Sequence, residues 1–129
     1  MENKILIALA LLISSGCSLT DDSQDLSITG DWVWIESTGG IAGTTETPTS
    51  TGDTILVTIT SNTIRKYTNG SLTFESSYTI QTMESVIYGG QHAMIVYGNG
   101  FKQTFRREGK KLYLSDECND CFVSIYSKG

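Results

Sequence analysis

From Gly30 onward, apolar and polar side chains alternate, and glycine-bearing turns cut the alternation at short intervals. A period of two puts successive side chains on opposite faces of an extended chain, so the pattern calls for half-buried strands and leaves no room for amphipathic helices. Ile55, Val57 and Ile59 alternate with Thr54, Thr58 and Thr60, although Leu56 interrupts the polar side. Leu72, Phe74, Tyr78 and Ile80 share one face across Ser76, opposite Thr73, Glu75, Ser77 and Thr79. Phe101, Gln103 and Phe105 oppose Lys102, Thr104 and Arg106; Leu112 and Leu114 form a short alternation, and Phe122, Ser124 and Tyr126 oppose Val123 and Ile125. Asn69-Gly70 and Asn99-Gly100 are the preferred pair for a two-residue type I′ hairpin. Gly89-Gly90 and Glu108-Gly109-Lys110 mark two further turns.

The strands expected are 31–36, 54–60, 63–69, 71–80, 84–88, 91–98, 101–107, 111–115 and 122–127, which is eight or nine depending on whether 84–88 stands alone. Serial hairpins without a crossover make an all-β, antiparallel up-and-down meander. A meander of this length removes its edges by closing into an eight-stranded, at most nine-stranded, barrel. One segment resists the pattern: Ser37 to Asp53, STGGIAGTTETPTSTGD, is too long and polar for a hairpin turn and holds the only proline, Pro48. Long loops of this kind are functional or mobile. The segment reads equally as a lid over one barrel mouth and as a plain surface loop, and Ile41 is the residue that separates the two.

The N-terminus follows different rules. Ile5 to Ile13 is apolar and follows Met1-Glu2-Asn3-Lys4. It is far short of the roughly 20 residues that span a bilayer, and with its basic start and small-residue end it has the shape of a secretory signal peptide, here residues 1–16. Ser14-Ser15-Gly16-Cys17 resembles a bacterial lipobox, with serine where leucine is usual. That resemblance implies that Cys17 becomes the acylated first residue of the mature chain, held in membrane lipid, and implies an envelope location, the outer membrane above all. Two or three acyl chains anchor firmly at about 0.8 kcal/mol per buried CH₂. Residues 17–29 then read as an acidic linker and 30–129 as the barrel domain. The acidic stretch after the cysteine also resembles the surface-export signal of Bacteroidetes lipoproteins. The net charge of −5 argues against nucleic-acid partners and against adhesion to anionic lipid by charge.

Of three cysteines, lipidation of Cys17 leaves Cys118 and Cys121. In an exported chain such a pair reads as a disulfide across the Asn119-Asp120 turn. Free thiols and metal or redox chemistry remain open, but zinc would need two more ligands and His92 is the only histidine.

The stretch GDWVWIESTGGIAGTTETPTSTGDTILVTIT carries a second resemblance. Gly30-x-Trp32 resembles the lipocalin opening motif, whose tryptophan closes the barrel base. The Trp-rich strand, GGIAG, the Thr-Pro segment, Tyr67-Thr68-Asn69-Gly70 and Leu112-Tyr113-Leu114 together resemble the small lipocalin-like lipoproteins of Bacteroidetes, over about 30–128. The resemblance implies a lipocalin-like barrel. The last strand, Phe122 to Ser127, lacks the arginine that stacks on that tryptophan in many lipocalins, leaving Arg106 or Arg107 as substitutes. Asp53-Thr54-Ile55 resembles the O-glycosylation motif of Bacteroidetes exported proteins, which makes Thr54 a candidate.

The residues do not build an enzyme. His92, between Gln91 and Ala93, reads as a solvent-facing strand residue. No serine sits in a Gly-x-Ser-x-Gly elbow. Asp116, Glu117 and Asp120 lack calcium-loop spacing and read as a solvated turn. No catalytic residue, metal or cofactor is expected. The aromatic residues are the better lead, and Trp34, Ile41, Phe74, Tyr78 and Phe105 are the candidates for a pocket or its lid. An eight-stranded barrel just holds its own side chains or one small ligand, and so many bulky groups favour a packed interior. Two functions follow: a carrier of a small apolar molecule, or a solid module that meets another envelope or secreted protein, for example as an inhibitor of a basic cell-wall enzyme such as lysozyme.

Overall fold

The computed structural model describes residues 27–129; the expected signal peptide, Cys17 and the linker through residue 26 lie outside the described residues. Nine strands run in chain order: β1 (Gly30–Gly39), β2 (Thr44–Glu46), β3 (Ile55–Ile59), β4 (Thr63–Thr68), β5 (Ser71–Glu84), β6 (Gln91–Tyr97), β7 (Lys102–Glu108), β8 (Lys111–Asp116) and β9 (Phe122–Lys128). Among the described residues one short helix, α1 (Pro48–Thr51), lies between β2 and β3. Every pairing is antiparallel, and β9 pairs with β1 to close an eight-stranded ring. β2 is an additional strand on the edge of β1: β3 pairs with Gly30–Val33, and β2 takes the same edge at Ser37–Gly39.

Alternation puts Trp32, Trp34, Val57, Ile59, Ile64, Leu112, Leu114 and Tyr126 into one buried core cluster. Two bulges interrupt the period. Trp34 pairs with Tyr126 and Glu36 with Ile125, so Ile35 is an extra residue and Ser37 turns inward beside Ser124. An inserted residue of this kind bends the strand and redirects the side chains beyond it. In β5, Lys66 pairs with Phe74 and Tyr67 with Leu72, leaving Thr73 extra. The shared face expected of Leu72 and Phe74 is therefore broken, and Leu72 sits half-exposed opposite Tyr67.

The turns divide by chemistry. Asn69 (φ 51°) and Gly70 (φ 87°) both take the left-handed region that a type I′ turn requires. At Asn99-Gly100 only the glycine does, and Tyr97 N–H donates to Phe101 O at 2.9 Å around a three-residue loop instead of a two-residue one. The strand expected at 84–88 does not exist. β5 runs on to Glu84, and residues 85–90 form a turn held from a distance by Glu117, which accepts from Ser85 Oγ at 2.8 Å and Val86 N–H at 2.7 Å.

Ser37 to Asp53 is more ordered than a lid. It finishes β1, turns through residues 40–43, adds β2 and winds into α1, whose capping box is Thr47 with Ser50. Ile41 stands at the turn, 91% exposed, tucked against nothing. Gly39 makes the tightest approach: a Cβ there would lie 2.1 Å from Cys121 O, so only glycine lets β1 pass the disulfide turn this closely.

Candidate functional site

The barrel interior is built differently at its two ends. At the floor, Trp32 is fully buried and its Nε1 donates to Ile28 O at 2.8 Å. Arg107 reaches Ser27 O at 2.7 Å, and Lys128 Nζ reaches Thr29 O at 3.0 Å. Three consecutive carbonyls are thus each capped by a side chain, so residues 27–29 belong to the packed unit. Arg107 and Lys128 also lie over the Trp32 ring, with the guanidinium carbon 5.3 Å and the ammonium nitrogen 4.8 Å from a ring centroid, within cation–π range. Of the two arginines considered for this stacking, it is Arg107. Arg106 lies over Tyr113 instead, at 4.0 Å.

Above the floor the interior opens into a cavity of about 550 Å³, within the size range of small-molecule sites. Its apolar wall includes Val57, Phe74, Tyr97, Phe101 and Leu114, and its polar groups come from Lys66, Gln103, Asp116, Ser124 and Tyr126. Phe74 and Phe101 are each about two-fifths exposed and mark the mouth. The expectation of a packed interior therefore holds for the floor and not for the space above it.

The polar groups form two chains. Trp34 Nε1 donates to Ser37 Oγ at 2.8 Å, and Ser37 Oγ meets Ser124 Oγ at 2.6 Å. Tyr97 Oη–H donates to Gln103 Oε1 at 2.5 Å, and Gln103 Nε2 donates to Asp116 Oδ1 at 2.8 Å. The phenol fixes the amide, and the amide fixes the carboxylate. Burial, with the neighbouring Tyr126 and Asp116 charges, pushes the Tyr97 phenol far above its usual range. Burial and then Asp116 push Tyr126 up to about 12. Both phenols therefore stay protonated at neutral pH.

The residues singled out from the sequence fall in several places. Phe74 lines the cavity. Trp34 is core, and Tyr78 is buried with its hydroxyl donating to Thr60 O at 2.5 Å. Phe105 packs against the core cluster. Thr54 is exposed, its N–H donating to Asn69 Oδ1 at 2.8 Å, and Asn69 Nδ2 donates to Asp53 Oδ1 at 2.9 Å. Gly30 and Trp32 lie at the floor, and Cys17 lies outside the described residues. Cys118 and Cys121 form a disulfide with Cα atoms 5.6 Å apart, around Asp120 at φ 60°. The acidic turn is not uniformly solvated, since Asp116 faces the cavity and Glu117 holds the 85–90 turn.

A second concavity, about 500 Å³, lies outside the barrel between Tyr88 and His92 on one side and Arg106 and Tyr113 on the other. Its polar groups are already engaged. Tyr88 Oη meets Ser115 Oγ at 2.8 Å, Arg106 pairs with Glu108, and His92 Nε2 lies 3.1 Å from Gly89 O. Among the described residues no cluster of three His, Cys, Asp or Glu side chains could hold a metal ion. The interior cavity is the better candidate because its polar groups converge on space.

Comparison decides nothing beyond the geometry. The chain matches no protein-family model, no curated protein and no solved structure. Sequence reasoning missed Lys66, Tyr97, Gln103 and Asp116 as a set. A signal existed for two of them: Gln103 shares a strand face with Phe101 and Phe105, and Lys66 shares one with Ile64.

Proposed function

We propose that this chain is a non-enzymatic, lipid-anchored envelope protein whose lipocalin-like barrel holds one small molecule with a largely apolar body in the interior cavity. The cavity carries the reading. It is roomy, its wall is divided about evenly between apolar and polar surface, and several of its polar groups are already oriented by hydrogen bonds, which is how ligand sites combine affinity with specificity. Among the described residues, no arrangement of nucleophile, base and oxyanion donors lines it. The anchor rests on Ser14-Ser15-Gly16-Cys17. Residues 27–29 are tied to the Trp32 floor, so a linker from Cys17 would reach the barrel at that end.

Native mass spectrometry of the full chain extracted from its own membrane tests the cavity. A co-purifying small mass that organic extraction removes supports a carrier; a clean apo mass after gentle extraction contradicts it. Cys17→Ala moves the protein from the membrane pellet to the soluble fraction or stalls its processing, and an unchanged acylated product contradicts the anchor. A second reading, contact with another envelope protein, is favoured by Val86 and Tyr88. They stand 66% and 56% exposed on a turn that Glu117 and Ser115 hold in place. Recovery of one envelope protein by wild type, and its loss from Val86→Asp, supports that reading.

A further inference from the structure

Two charged residues line the cavity, Lys66 on β4 and Asp116 on β8. In the ring order β1-β3-β4-β5-β6-β7-β8-β9 these strands are four apart, so the two charges stand on opposite walls. Among the described residues they form no ion pair, with each other or with any other side chain. Between them lies the apolar and aromatic surface of Phe74, Tyr97, Phe101 and Leu114. Asp116 Oδ1 is held through Gln103 and Tyr97, and among the described residues no hydrogen bond engages its second carboxylate oxygen.

Any ligand that fills this space displaces water from both charges, and an ion buried without a partner is heavily penalised. A simple carboxylate satisfies Lys66 but lays its apolar tail against Asp116. An organic cation satisfies Asp116, with the Tyr97 and Phe101 rings beside it, and strands Lys66. A neutral apolar molecule compensates neither charge, so it binds weakly enough for a matched ligand to displace it. Only a molecule with a positive end, a negative end and an apolar body leaves neither charge uncompensated.

Building on the carrier reading, we infer that the cavity takes a small zwitterion, a short apolar peptide with free termini or a molecule of that chemistry, with its ammonium at Asp116 and its carboxylate at Lys66. Gln103, which orients Asp116, is a positioning residue.

The full chain is titrated with the neutral dye Nile red, and the dipeptide leucyl-phenylalanine, its N-acetyl form and its C-terminal amide compete. The free dipeptide displaces the dye, and each blocked form does so at least tenfold more weakly. Asp116→Asn weakens the free dipeptide at least tenfold while acetylation then adds nothing further, and Lys66→Met does the same with respect to amidation. This crosswise loss assigns each terminus to its wall, as a double-mutant cycle does. A melting curve checks each variant, and Lys66→Gln serves if Lys66→Met does not fold; the blocked ligands also test the wild type without any variant. Bound dye with no displacement, or displacement that ignores blocking, overturns the zwitterion and leaves the carrier. Failure of the dye itself to bind overturns the carrier reading with it.

Discussion

The floor and the mouth of this barrel hold together by different means. At the floor, side chains do the work: Trp32, Leu112 and Ile28 are buried, and Trp32, Arg107 and Lys128 cap the carbonyls of 27–29. Around the mouth, the backbone and its ties do it. Gly39 passes against Cys121, and the disulfide closes the β8–β9 turn. A barrel tied at its rim does not need side chains to fill the space inside. That difference is how a small, aromatic-rich chain keeps a cavity.

Substitutions on either side of this divide have unequal effects. Trp32→Ala empties the floor and costs about 3–5 kcal/mol in a denaturant melt, as for large buried aromatics; a loss below about 1 kcal/mol breaks the contrast from the floor side. Gly39→Ala drives a Cβ into Cys121 O and costs about 1–3 kcal/mol, the range of overpacking, and a neutral result means the rim is not set by that approach.

Alkali probes the boundary between the two regions. Tyr126 has a folded pKa pushed up to about 12 by burial, against about 10 in the unfolded chain. The unfolded state therefore loses its proton first. The stability is fully present below pH 10 and falls as pH rises through 12, by about 2 kcal/mol at pH 12. Tyr126→Phe flattens that part of the pH–stability curve; an unchanged slope means the phenol does not sense its burial. At the mouth, Phe74→Ala costs less than about 1 kcal/mol, because the ring is already partly exposed and borders open space. A core-sized loss there erases the distinction between the ends.

Much of the architecture was legible because it depends on local pattern. The inward faces of β7, β8 and β9, the closed antiparallel meander and the Asn69-Gly70 turn all follow from period two and turn chemistry. What was not legible depends on partners distant in sequence. Val86, Ile87 and Tyr88 read as a strand, yet a carboxylate thirty-one residues away holds them in a turn. The bulges at Ile35 and Thr73 are choices of register, made by β9 and β4. Thr44–Glu46 has no apolar face and pairs only because β1 runs past the end of β3. At the site, Phe74 was readable as an inward aromatic. Lys66 and Asp116 were not, because an inward charge looks like an interruption of a strand until the opposite wall is known.

The claim that everything above the floor rests on is an open, ligand-accessible interior, and filling it tests that directly. Ser124→Trp places an indole in the cavity beside Tyr126, and the readout is Nile red fluorescence on the full chain, alongside the melting curve. Wild type is expected to bind the dye saturably and one-to-one, with at least a tenfold loss in a still-folded Ser124→Trp variant. Equal binding by both, or none by wild type, would contradict an open interior.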